Sequence, residues 1–142
     1  MTSEPILKGL SHVCLGTSDL GKTMDFYCGV LGCKVVHEFR NQEGDLYGVF
    51  LSVNDGTFLE FFNDDKAVSD GGSFRHLCLE VEDIYKFADA MRGKGFPGEI
   101  RRGRTDGVLQ FWVYDPDGNM LEFHQYDEDS VQYPYARPRG QR

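Results

Sequence analysis

The chain matches itself. Residues 10–20, LSHVCLGTSDL, align with 74–84, FRHLCLEVEDI, placing His12 on His76, Cys14 on Cys78 and Asp19 on Asp83 at an offset of 64. Residues 54–61, NDGTFLEF, align with 116–123, PDGNMLEF, placing Asp55 on Asp117, Gly56 on Gly118 and Glu60 on Glu122 at an offset of 62. A duplication constrains the fold strongly, because whatever supersecondary unit the first copy forms the second must form as well. The two units are then free to meet about a pseudo-twofold.

Within each copy the hydrophobic period changes from two to helical and back. His12, Cys14 and Gly16 alternate with Val13 and Leu15, as in a strand over 10–16. Asp19 suits a helix N-cap, Leu20, Met24, Tyr27 and Leu31 form one helical face, and Gly32 suits the C-terminal cap. The second copy repeats this with Asp83, then Ile84, Phe87, Ala88 and Met91, ending at Gly95. Three strand-like runs follow each helix, 33–40, 46–53 and 57–63, then 97–102, 108–115 and 119–126, and Asp-Gly turns join the last two of each set. The expected class is α+β, two tandem βαβββ modules over about 8–63 and 74–126 in a single domain spanning 1–126, with a tail over 127–142.

Alternation also assigns faces. Val13, Leu15, Leu59, Phe61, Leu77, Leu79, Leu121 and Phe123 form a uniformly apolar face that should pack on the helices. The opposite face carries His12, Cys14, Phe58, Glu60, Phe62, His76, Cys78, Met120, Glu122 and His124. A lone histidine there would be an ordinary core side chain. Here a His and a Glu recur at equivalent places in both copies, and a carboxylate between apolar neighbours is costly to bury without positive charge beside it. Imidazole nitrogen with carboxylate oxygen suits a first-row divalent metal ion. The expected result is a cup-shaped mixed sheet around a metal site, walled by apolar side chains such as Phe58, Phe62 and Met120.

The formal charge of −8 from 15 basic and 23 acidic residues excludes a nucleic-acid binder driven by phosphate attraction. No apolar run approaches the ~18 residues of a membrane span, and MTSEPILKGL lacks the pattern of a secretory leader, so a cytoplasmic protein without a membrane partner is expected. The four cysteines show no CxxC spacing, which favours free thiols. Arg101, Arg102 and Arg104 form a basic cluster from which one guanidinium, Arg104 foremost, is a candidate for a substrate anion.

On LSHVCL, DLGKTMDFYCGVLG, GTFLEF, FRHLCLEVEDI and VYDPDGNMLEF, the chain resembles the vicinal oxygen chelate superfamily, which includes glyoxalase I, bleomycin resistance proteins and extradiol dioxygenases. Within it the chain is most similar to glyoxalase I. The resemblance implies four metal ligands, His12, Glu60, His76 and Glu122, with Glu122 as the main catalytic base and Glu60 its partner. It implies nickel or cobalt, because a histidine at the first ligand position in a compact chain goes with that class; ligand type alone leaves zinc, manganese and iron open. Four protein ligands on an octahedral ion leave two positions, enough for adjacent substrate oxygens, whereas a dioxygenase needs three. The implied activity is a lyase or isomerase working on an α-hydroxy carbonyl through an enediolate, as in lactoylglutathione lyases. A metal-dependent epimerase and a non-catalytic drug-binding protein are the alternatives.

Two positions depart from the glutathione-using pattern. Gly16 and Asp64 stand where such relatives commonly place an arginine and an asparagine, so the small-molecule substrate need not be a glutathione adduct. His124, on the same strand face as Glu122, is a candidate substrate contact or a group that orients a ligand. The tail DEDSVQYPYARPRGQR has no helical or strand period and is expected to wrap a neighbour. The resemblance implies a homodimer.

Overall fold

The computed structural model describes residues 6–54, 56–66 and 72–136. Module 1 runs β1 (His12–Thr17), α1 (Leu20–Met24) continuing as a π-helical stretch (Asp25–Val30), β2 (Lys34–Arg40), β3 (Leu46–Asn54) and β4 (Thr57–Asn63). Module 2 runs β5 (Leu77–Glu80), α2 (Ile84–Gly93), β6 (Arg101–Arg102), β7 (Leu109–Tyr114) and β8 (Met120–Gln125). Each makes one four-stranded sheet, ordered β1-β4-β3-β2 and β5-β8-β7-β6. The first pair in each is parallel, across the helix, and the others are antiparallel, so both sheets are mixed and the repeat is a repeat of topology. Two tandem α+β modules are as expected.

The helices start where the sequence says. Asp19 accepts from the Lys22 amide at 3.0 Å, and Asp83 accepts from the Tyr85 and Lys86 amides at 3.1 Å, filling donors that the first helical turn leaves unpaired. After α2, Gly95 takes φ 90° while the Phe96 amide reaches back to the Met91 carbonyl at 2.9 Å. The first helix departs from its expected single face, because its second half has π geometry, with the Leu31 amide bonded to the Phe26 carbonyl at 3.0 Å. The wider turn brings Phe26 and Tyr27 both into the core, leaving Met24 and Leu31 only half-buried. Phe26 then packs on Phe96 of module 2, ring centroids 5.4 Å apart.

The expected strand over 97–102 is reduced to Arg101–Arg102. Pro97 lacks an amide donor, and Gly98 lies so close to Phe111 that a Cβ there would meet the ring at 2.8 Å. The second copy's first strand begins at Leu77, leaving His76 just before it. Both Asp-Gly hairpins are present, with Gly56 at φ 78° and Gly118 at φ 82°, although Asp55 lies outside the described residues.

The apolar face is as alternation assigns it. Leu59, Phe61, Leu121 and Phe123 are buried with Val49, Leu51, Phe111, Ile84, Ala88 and Met91, and Val13, Leu15, Leu77 and Leu79 pack against them. Between the modules, Asp115 organises the β7–β8 turn by accepting from the Asp117 and Asn119 amides, and also takes the Tyr27 hydroxyl at 2.7 Å. Burial, with the charge of Asp115 beside it, pushes the Tyr27 phenol far above its ordinary range, so it remains a donor. Asp117 reaches module 1 as well, accepting from Thr17 at 2.8 Å and from the Ser18 amide at 3.1 Å.

Residues 127–136 fold against their own module: Arg102 pairs with Asp127 at 2.9 Å, the Val131 amide bonds the Asp106 carbonyl at 2.9 Å, and Ser130 is buried. A side chain on Gly107 would collide with the Asp129 carbonyl oxygen at 2.2 Å, and its φ of 70° favours glycine independently. Residues 137–142 lie outside the described residues. The four cysteines are free, and no helix among the described residues is long and apolar enough to cross a membrane.

Candidate metal centre

The parallel pairing of the first and last strands of each module creates the site's repeat. Cys14 lies in register with Glu60, and Glu60 with Phe50 on the other side; Cys78 lies in register with Glu122, and Glu122 with Trp112. Because strand side chains alternate, all of these project from the face opposite the helices. His12 Nε2 stands 3.8 Å from Glu60 Oε1, and His76 Nε2 stands 2.9 Å from Glu122 Oε2. Each imidazole meets an aromatic ring edge to face, His12 on Phe50 at 5.3 Å and His76 on Trp112 at 5.0 Å. These two rings were missed in the sequence reading. Phe50 and Trp112 share the same 62-residue offset as the glutamates, which is the signal that reveals them.

The two halves differ around this shared frame. Glu122 is the more buried glutamate, its side chain 8% exposed, and its second oxygen meets His124 Nε2 at 2.5 Å. Trp112 Nε1 donates to Gln110, which is itself in register with His124, so the module 2 face is a polar network. In module 1 the counterparts are Gly48 and Phe62, and a Cβ on Gly48 would meet the Phe62 ring at 2.4 Å. Phe62 packs with Phe39 at 4.9 Å and Tyr47 at 6.0 Å, while Phe50 and Phe58 stack at 5.1 Å. Module 1 therefore offers an aromatic wall and module 2 a set of polar groups.

The donor atoms of His12, Glu60, His76 and Glu122 are not all within 4.8 Å of one another in this structure. Among the described residues, one group of three metal-capable side chains has its donor atoms mutually within 4.8 Å, and it is Cys78, Glu122 and His124. Both thiols are held protonated: burial first and Glu60 second push Cys14 up, and burial with Glu122 and Glu80 pushes Cys78 up to about 12. Met120 is half-buried opposite Tyr114 at the start of β8. Of the clustered arginines, Arg102 is engaged by Asp127 and the Gly107 carbonyl, Arg101 stands 3.6 Å from Glu99, and Arg104 is exposed in the β6–β7 turn.

The donors fit a divalent ion. Two cis ligands with bonds of ~2.1 Å at a right angle stand ~3 Å apart, close to the 2.9 Å between His76 Nε2 and Glu122 Oε2. The ion-pair partners of buried Glu122 among the described residues are histidines, so a cation would supply charge that the fold does not. The His12 and Glu60 donors need to approach by less than 1 Å from their 3.8 Å separation to match.

Comparison with known proteins agrees with this architecture. The chain is 32% identical over 139 residues to a lactoylglutathione lyase of Neisseria meningitidis, covering 89% of this chain and 99% of the relative. It is 30% identical over 122 residues to the lactoylglutathione lyase of Haemophilus influenzae, covering 79% and 88%. The crystal structure of a glyoxalase family protein from Enterococcus faecalis superposes with a TM-score of 0.71 at 28% identity, over 84% of this chain and 99% of that one. The family model of the Glyoxalase/Bleomycin resistance protein/Dioxygenase superfamily matches residues 9–123, and the chain belongs to that superfamily.

Proposed function

We propose that the protein is a divalent-metal-dependent lyase or isomerase acting on an α-hydroxy carbonyl compound, of the lactoylglutathione lyase kind. The observation that carries the reading is the repeated His–Glu pair, His12 with Glu60 and His76 with Glu122, on the non-helical face of both sheets. The names of the relatives at about 30% identity support the reaction class. Because the two pairs stand apart in this chain, a homodimer in which His12 and Glu60 of one copy meet His76 and Glu122 of the other is the arrangement we favour. Nickel or cobalt is the ion suggested by His12, with zinc, manganese and iron as alternatives.

When bound, the ion would act as a Lewis acid, stabilising the charge that builds as the proton beside the carbonyl leaves. Glu122, with Glu60 as its partner, would take that proton and return it to the neighbouring carbon. His12 and His76 hold donor nitrogens, braced by Phe50 and Trp112. Phe58 and Phe62, with Met120, wall off water around the reacting carbons. Gly16 offers no guanidinium, and the Asp64 carboxylate, an acceptor that takes the Lys66 amide at 2.9 Å, repels a second carboxylate, so neither grips glutathione. Arg104, or Arg101 beside it, is the exposed guanidinium we assign to that task.

The test is turnover of α-hydroxy carbonyl substrates with and without glutathione, including the hemithioacetal of methylglyoxal, by nickel- and cobalt-loaded protein. Turnover lost in Glu122→Gln supports the reading. Tight binding of small apolar molecules without turnover under any metal supports the second reading, a drug-binding protein, which the aromatic wall of module 1 favours.

A further inference from the structure

The duplication supplies an internal control for one residue. The His–Glu pair and its aromatic partner recur in both modules, but His124 does not, its place in module 1 being taken by Phe62. Glu60 therefore faces one imidazole at 3.8 Å, while Glu122 is held between two, His76 at Oε2 and His124 at Oε1. The His124 side chain is only 12% exposed, and its ring lies edge to face with Tyr126 at 5.7 Å, so its orientation is fixed by packing. A carboxylate on a strand can rotate about its last bond, presenting either oxygen to a neighbour. One fixed donor at one oxygen removes that freedom.

We infer that His124 is a positioning residue for Glu122: its Nε2–H donates to Oε1 and so commits Oε2 to the His76 side, where a metal ion would sit. The inference rests on the metal-site reading above and adds to it that the two glutamates are unequal. Glu122 is the preset carboxylate and Glu60 the adaptable one. Hydrogen bonds of this kind to ligating groups are typically worth a 10–100-fold difference in metal affinity. Phe62 cannot provide one, which fits the looser His12–Glu60 pair.

The experiment measures nickel affinity by competition with a chromogenic chelator for wild type, His124→Phe and His124→Gln, with Glu60→Ala alongside. His124→Phe installs the module 1 residue; it is expected to weaken nickel binding ~10–100-fold, and His124→Gln, which keeps a donor, to recover most of the loss. Nitrogen-detected NMR of the wild-type imidazoles reads the hydrogen bond without metal or mutation, and His124 is expected as the Nε2–H tautomer with a slowly exchanging proton. Nickel binding lost in Glu60→Ala but unchanged in His124→Phe would overturn the inference and leave the metal-site reading standing. An Nε2 proton of His124 in free exchange with water would also overturn it, whether or not the variants fold. Wild type that binds no nickel would overturn both.

Discussion

Glu122 carries more of the account than any other residue, being buried, hydrogen-bonded to His124, paired with His76 and repeated in Glu60. Removing its charge while keeping its shape, in Glu122→Gln, is expected to lower kcat by ~10²–10⁴-fold, the usual contribution of a positioned general base, with far-UV circular dichroism unchanged. At the junction, Tyr27→Phe deletes a buried hydroxyl and leaves Asp115 short of one donor; urea unfolding should show a loss of ~1–3 kcal/mol. The candidate ligands were legible in the sequence because chemistry and duplication mark the same positions. Phe50 and Trp112 were not, since an aromatic residue in a strand is ordinary until a structure sets an imidazole against it. Arg104 was singled out by charge alone, and charge does not say where a turn points.

At the scale of elements, capping chemistry wrote the helix starts plainly. Asp83→Ala should cost ~0.5–2 kcal/mol by thermal or urea unfolding, because two amides of α2 lose their acceptor. The π-helical stretch was illegible because Leu20, Met24, Tyr27 and Leu31 fit an ordinary helical stripe. What decides against that stripe is tertiary: Phe26 finds Phe96 on the second module. Loss of strand at 97–100 was readable in principle from Pro97 and Gly98, which interrupt a ladder in different ways. The ordered part of the tail escaped notice because isolated turns and single ion pairs leave no period.

For the whole molecule, the duplication predicted the architecture but not how the modules meet. The junction uses Tyr27 with Asp115, and Thr17 and Ser18 with Asp117, contacts that are unlike in the two copies and so invisible to a repeat. Burial alone would raise the Asp117 carboxyl, but hydrogen bonds from Ser18 and Thr17 outweigh it and hold the group below its ordinary 3.8. A depressed carboxylate contributes stability above its unfolded pKa and loses it as pH falls through the folded value. Asp117→Asn should therefore lower Tm at pH 7, and the difference from wild type should shrink as pH falls below the ordinary carboxylate value of 3.8, as calorimetry across that range would show. The proposed dimer makes its own prediction. Mixing Glu60→Ala with Glu122→Ala chains after dissociation should restore about a quarter of the wild-type sites, since half the dimers are mixed and each regains one of two sites. A site formed within one chain would restore none.

The central claim is that the duplicated His–Glu pairs hold a metal ion. Its most direct measurement is elemental analysis of the purified protein, before and after reloading with nickel, cobalt, zinc or manganese, with Glu60→Ala in parallel. The account predicts about one ion per chain in wild type, and a marked loss in a variant that lacks a donor contributed by the other module. No stoichiometric metal under any loading would contradict it, and the pairs of glutamate and histidine would then be parts of a binding pocket.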